Sequence, residues 1–313
     1  MIEDNWTSAG GREADGDGEQ AAEARHGVAA IDAIVEYRPL LFAIAYRMLG
    51  SVADAEDAVQ DTFLRWHRVL AAGTDIASPK AWLTTTVTRR CLDELGSARV
   101  RREQYIGPWL PEPIVGGADP AERVADPDSL SMAFLVLLES LSAKERAVFL
   151  LHDVFGYEFA EIAAIVGESA VYCRQLAKRA RAHVNERRPR FAAAAEEQER
   201  LTERFLRAVN DGDLGGLIAT LADDVVVWAD GGGKVNAARR PAGGGPDKVA
   251  RYLLNIVSLA VGGTSFGLAA VNGEPGVVAR LDGALTGAVT FDVADGAIRA
   301  IYIVVNPGKL RSA

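Results

Sequence analysis

Between Arg174 and Arg190 seven basic residues face a single acid, Glu186, in a chain whose net charge is -9. Guanidinium and ammonium groups at helical spacing can bind phosphate oxygens, and with Gln175 among them they can also reach base edges in a DNA major groove. Arg174, Gln175, Lys178, Arg179 and Arg181 supply those groups, and Ser169 stands where it can cap their helix. A basic helix alone also fits an ordinary solvated face, so the preceding elements decide between the two. The overall acidity does not oppose DNA binding, because salt limits each charge's reach to about 8 Å at physiological ionic strength.

Those elements form a helix-turn-helix pattern. Ser142 lies three residues before Glu145, the spacing of a capping box, and Leu141, Ala147, Val148, Leu150 and Leu151 make an apolar stripe. A shorter helix follows, with Phe159, Ile162, Ala163 and Val166 on one face and Gly167 at its end. In such motifs the last helix enters the major groove. Further upstream, two helical patterns break at Gly50-Ser51, with Asp54 placed as an N-cap and Glu56 and Asp57 in the first turn. Leu40, Leu41, Ile44, Ala45 and Met48 predict one buried face, and Val59, Phe63, Leu64 and Trp66 another. A third helix opens at Pro79, with Trp82, Leu83, Val87 and Leu92 inward and Thr84, Thr85, Thr88, Arg89 and Arg90 outward.

Together these segments resemble bacterial RNA polymerase sigma factors of the extracytoplasmic-function type, which retain two helical regions, region 2 and region 4. Asp54 to Trp66 is similar to the region 2 helix that docks on the clamp helices of the polymerase largest subunit, and the resemblance assigns core-polymerase binding to Asp57, Gln60 and Asp61. The segment from Ser78 resembles the loop and helix that read the minus-ten element, implying roles for Trp82, Thr85, Thr88, Arg89 and Arg90. Trp82 fits either an unstacked base or the core, since Leu83 and Val87 lie at packing distance from it. The same resemblance gives Ser169, Arg174, Gln175, Lys178 and Arg179 to the minus-thirty-five element. Tyr172 and the pair Leu176-Ala177 depart from the family pattern, so the preferred promoter cannot be copied from relatives.

Past Arg190 the composition changes. A helix from Glu196 to Asn210, a Gly-Asp turn, a short helix and then strands around 225–230, 266–271, 276–282, 284–296 and 297–305 are expected, with an intervening helix at 247–260. This order resembles a SnoaL-like domain, an α+β cone with a curved antiparallel sheet. Three motifs resemble the sigma subgroup that carries such a cone: WLPEP from Trp109 through Leu110, Pro111 and Glu112 to Pro113; DGGGK, comprising Asp230, Gly231, Gly232, Gly233 and Lys234; and NPGKL, containing Asn306, Pro307 and Lys309. Gly308 replaces the subgroup's acid, which removes any salt bridge that acid would make. The expected organisation is multidomain: a disordered acidic tail at 1–27, region 2 at 28–103, a linker at 104–129, region 4 at 130–190 and the cone at 196–313. The resemblance implies that the cone modulates the sigma factor from within the chain, without a separate anti-sigma factor.

Other SnoaL-like cones act as acid/base enzymes, but all four histidines (His26, His67, His152, His183) and both cysteines (Cys91, Cys173) precede residue 190. The cone retains Asp223, Asp230, Asp282, Tyr252 and Tyr302 as polar candidates. No enzyme activity, cofactor or metal is expected; DGGGK lacks the earlier glycine and following Ser or Thr of a Walker loop, and no Cys/His ligand spacing occurs. The expected partners are core RNA polymerase, through its clamp helices and flap, and promoter DNA, with a small-molecule ligand in the cone as a further option. Seven acids against two arginines in residues 1–25 do not make a signal peptide, and a cytoplasmic location with no membrane contact is expected. A stand-alone helix-turn-helix regulator sensing a small molecule is the alternative.

Overall fold

The computed structural model describes residues 35–103, 105–116, 130–187 and 195–310. The acidic tail, residues 104 and 117–129 of the linker, and Arg188 and Arg190 of the basic run lie outside these residues. Helix α1 covers 35–49 of the described residues and ends at Gly50, whose φ of 68° is left-handed. Helix α2 (Val52–Ala71) is capped by Ser51, not Asp54: Ser51 is extended, and its side chain accepts the Asp54 backbone N–H. The helix therefore begins three residues earlier than expected, leaving Asp54 as the acid of its first turn.

Helix α3 spans Pro79–Glu103. Region 4 follows as α4 (Met132–Leu138), α5 (Ala143–Phe149) running into a π-turn at Leu150–Val154, α6 (Phe159–Val166) and α7 (Ala170–Arg187). The Ser142/Glu145 capping box is present, Gly167 closes α6 at a φ of 70°, and the Ser169 hydroxyl accepts the Tyr172 N–H at the start of α7. Buried side chains from α1 to α7 form one continuous core, including Leu41, Ile44, Leu83, Val87, Val148, Ile162 and Ala177. Regions 2 and 4 consequently pack as a unit.

The cone begins with α8 (Ala195–Asp211) and α9 (Leu214–Ile218), followed by β1 (Leu221–Asp230), α10 (Pro246–Ser258), β2 (Thr264–Val271), β3 (Glu274–Leu281), β4 (Ala284–Ala294) and β5 (Ala297–Val304). Sheet order is β1-β5-β4-β3-β2. The β2–β5 meander is antiparallel as expected, and its turns carry positive φ at Asn272, Asp282 and Asp295, each followed by glycine. β1 departs from that expectation by pairing parallel to β5, which makes the sheet mixed. The long excursion through α10 permits this, since parallel neighbours need a crossover connection. One sheet face, including Val227, Phe291, Ile301 and Ile303, packs with α8, α9 and α10 residues such as Phe205, Leu217 and Leu253. The other packs Val278, Ala288, Tyr302 and Val304 against Leu110 of the linker and Met132 of α4.

Candidate promoter-reading faces and the interdomain hub

Successive turns of α7 put Arg174, Gln175, Lys178 and Arg179 on one exposed face. Cys173, Leu176, Ala177 and Ala180 fill the opposite, buried face. Arg174 also lies over the Phe159 ring at 5.7 Å, and Arg181 pairs with Asp153 at 2.7 Å. The candidate minus-thirty-five residues thus share one open basic stripe. On α2, Asp57 and Gln60 are exposed, whereas Asp61 is half-buried and salt-bridged to Arg65 at 3.2 Å and Arg90 at 3.5 Å.

The minus-ten set is divided. Trp82 is partly buried in a tilted pair with Trp66, 5.4 Å between ring centroids. With Arg65, Ile76, Ser78, Thr85 and Arg89 it lines an open groove of about 520 Å³. Thr85 donates to Ala81 O, and Arg90 pairs with Glu94. Thr84 and Thr88, expected outward, are both fully buried. The Thr84 hydroxyl shares a 2.9 Å hydrogen bond with Tyr157 Oη, while the Thr88 hydroxyl has no hydrogen-bond partner among the described residues. Helical periodicity failed there because α3 is covered on its second side by α5 and α6.

Two arginines fasten this contact in opposite directions. Arg89 of region 2 donates to Ile165 O and Ala164 O, carbonyls at the end of α6 that have no onward helical partner. Arg146 of region 4 donates to Met48 O near the end of α1 and to Glu139 Oε1. Burial lowers the pKa of Arg146 to about 10, yet leaves it charged at neutral pH. Each region therefore completes a helix terminus of the other.

The three cone motifs converge around Asp230, which is fully buried at the end of β1. Its carboxylate accepts from Tyr105 Oη at 2.5 Å, Leu110 N at 2.9 Å, Gly232 N at 3.0 Å and Lys309 Nζ at 2.8 Å. Lys309 also donates to Leu110 O and lies 4.0 Å from the Trp109 ring centroid. The substitution at Gly308 has thus not cost this lysine an acidic partner. Asn306 donates to Tyr105 Oη and accepts from Gly308 N. Burial, followed by the Asp230 hydrogen bond, pushes the Tyr105 phenol upward, so it remains a donor. A Cβ on Gly232 would fall 2.3 Å from Asn306, and one on Gly233 would fall 2.9 Å from Ile106, so these glycines permit close approach. Lys234 and Pro307 are exposed beside this cluster.

From there the linker crosses region 2. Trp109 rests on Gly50, where a Cβ would meet its ring at 2.7 Å. Glu112 accepts the Val52 N–H at 2.8 Å, supplying a linker carboxylate to the start of α2. Tyr46 donates to Glu112 O at 2.6 Å. Pro111 and Pro113 are buried. Asn272, at the β2–β3 turn, was not singled out by sequence reasoning. Its side chain accepts from Ile114 N and donates to Tyr46 Oη and Leu130 O. One buried amide thereby joins the cone to the linker, region 2 and the start of region 4.

The cone's other polar candidates do not join this cluster. Asp223 and Asp282 are exposed, Tyr302 lies on the linker-facing side of the sheet, and Tyr252 belongs to α10. Cys91 and Cys173 are buried, and burial raises both thiol pKa values. Among the described residues no helix is long and apolar enough to cross a membrane.

Sigma-70 region 2 matches residues 33–101, and sigma-70 region 4 matches residues 131–184. The chain is 40% identical over 286 residues to the ECF RNA polymerase sigma factor SigJ of Mycobacterium tuberculosis, covering 87% of this chain and 90% of that protein. It is 35% identical over 277 residues to the probable ECF RNA polymerase sigma factor SigI of the same species, covering 88% and 92% respectively. The SigJ crystal structure has a TM-score of 0.74 and 36% identity over 90% of this chain and 99% of that one. With both sigma regions matched and likeness extending through the cone, the chain belongs to the family of ECF RNA polymerase sigma factors.

Proposed function

We propose that this sigma factor is restrained in its compact form by its own cone, which holds the linker across region 2 and keeps region 4 against α3. The observation that carries this reading is the burial of Thr88 together with the engagement of Arg89 by the α6 carbonyls. A minus-ten strand and α6 then compete for the same side of α3. The exposed α7 stripe serves the minus-thirty-five duplex, Asp57 and Gln60 serve the polymerase clamp helices, and the Trp82 groove receives unstacked DNA. Polymerase binding favours an arrangement in which regions 2 and 4 separate, and the equilibrium shifts by the difference in affinity for the two arrangements.

The cone acts here as a structural regulator. Asp230, the carboxylate best placed for acid/base chemistry by its burial, is occupied by four donors, which supports a holding role over a catalytic one. A cytoplasmic site of action follows from the partners proposed. Run-off transcription with purified core polymerase and a genomic promoter library tests the proposal, using the full chain and a version ending at Arg190. Transcripts dependent on the protein, with output altered by removing the cone, are expected. Equal output from both versions would overturn the regulatory role while leaving the sigma assignment intact.

A further inference from the structure

Val171 is 62% exposed at the beginning of α7, on a helix whose other apolar side chains are largely buried. It stands three and four residues before Arg174 and Gln175, and seven and eight before Lys178 and Arg179. Those separations put all five side chains on one helical face. The isopropyl group therefore heads the basic stripe and has no place in the protein core.

Residues at the N-terminal end of a recognition helix approach base edges, while later basic residues reach the phosphates. An apolar side chain at that end has one distinctive partner in the major groove, the C5-methyl of thymine. Gln175, one turn later, can bridge the N6 and N7 atoms of adenine. We infer that Val171 is a specificity-determining residue of this sigma factor, reading a thymine methyl in the minus-thirty-five element within about two base steps of an adenine contacted by Gln175. This inference rests on the proposed reading of α7 as the minus-thirty-five helix.

Holoenzyme assembled from core polymerase and the full chain is used first to select a promoter from a random library. Each minus-thirty-five thymine is then replaced by deoxyuridine, which removes only the methyl group. Wild-type holoenzyme should bind about fourfold more weakly at one position, the loss of roughly one buried methyl contact. Val171→Ala should lose the sensitivity at that position alone, and Val171→Thr, which keeps a γ-methyl, should retain part of it. Uracil sensitivity at no position, persistence of the same sensitivity in Val171→Ala, or uniform weakening on every sequence would overturn the inference. Arg174→Ala with Lys178→Ala separates the two levels. If that variant binds the selected promoter unchanged, α7 is not the reading helix and both assignments fall. If it weakens binding while uracil has no effect, only the role of Val171 falls.

Discussion

Asp230→Asn preserves the side-chain size but replaces an anion accepting four hydrogen bonds with an amide that brings two donors of its own. Lys309 Nζ, only 2.8 Å away, loses its counter-charge, and at least one of Tyr105 Oη, Leu110 N and Gly232 N faces another donor. Breaking a buried ion pair by removing one partner destabilises by about 3–5 kcal/mol. The Lys309 side chain is 11% exposed, so it can turn toward water and relieve part of that loss. About 3 kcal/mol is the appropriate expectation, roughly a hundredfold in the ratio of docked to undocked linker. Protease cleavage between residues 105 and 116, measured where opening is fast relative to cutting, should accelerate by about that factor. Lys309→Met removes the charge from the other side, and the double variant should be milder than the sum of the two single effects. Cleavage within about twofold of the parent in Asp230→Asn, or strict additivity in the cycle, would refute the view that this pair holds the linker.

Asp57→Ala with Gln60→Ala should weaken core-polymerase binding in a titration, whereas Arg174→Ala with Lys178→Ala should preserve it and flatten the salt dependence of promoter binding by about 1–2 in log–log slope. Thr84→Val with Tyr157→Phe removes a 2.9 Å contact between regions 2 and 4 without altering an exposed DNA-facing residue. It should loosen the compact form by about 1 kcal/mol and raise transcription at limiting core polymerase, and unchanged output would count against a restraining contact. Burial raises the Asp292 pKa, with nearby Arg299 offsetting part of the shift. The native state consequently binds a proton more readily than the unfolded chain, and stability falls as pH rises from the unfolded carboxylate value of about 3.9 through the folded one. Asp292→Asn should remove that fall, with its advantage largest at neutral pH and absent below the unfolded value; urea midpoints across pH test it.

Local features were readable because their physics lies within a few residues. Ser142 and Glu145 form their capping box across three positions, Gly167 ends α6 by its own backbone freedom, and each meander turn contains its Asn-Gly or Asp-Gly pair. Asp54 was misplaced as a cap because Ser51, equally suited by chemistry, sits at the break made by Gly50. The outward assignment of Thr88 failed for another reason: periodicity finds a helix's apolar face but cannot reveal that α5 and α6 also cover its polar face. Arg89, Arg146 and Asn272 were illegible in their interdomain roles because the partners they reach in other regions, Ala164, Met48 and Leu130, lie 75 or more residues away. A carbonyl at a distant helix end has no sequence signature. The three short cone motifs showed which segments matter, but only the fold reveals Asp230 as their common centre.

Ile114 meets Asn272 across 158 positions, and Leu110 meets Lys309 across 199. On a ribosome adding about 5–20 residues per second, Asn272 emerges roughly 8–30 s after Ile114. During the last roughly 4–17 s of that interval, once residue 187 has emerged, regions 2 and 4 are both outside the ribosome while the linker has no complete cone to hold it. The sigma regions must therefore tolerate an unlatched period early in the life of each molecule, and restraint becomes complete only once Lys309 has emerged. A premature stop near residue 300 would remove Lys309 and leave every promoter-facing side chain in place, producing a chain with its reading surfaces intact and its closing contact missing.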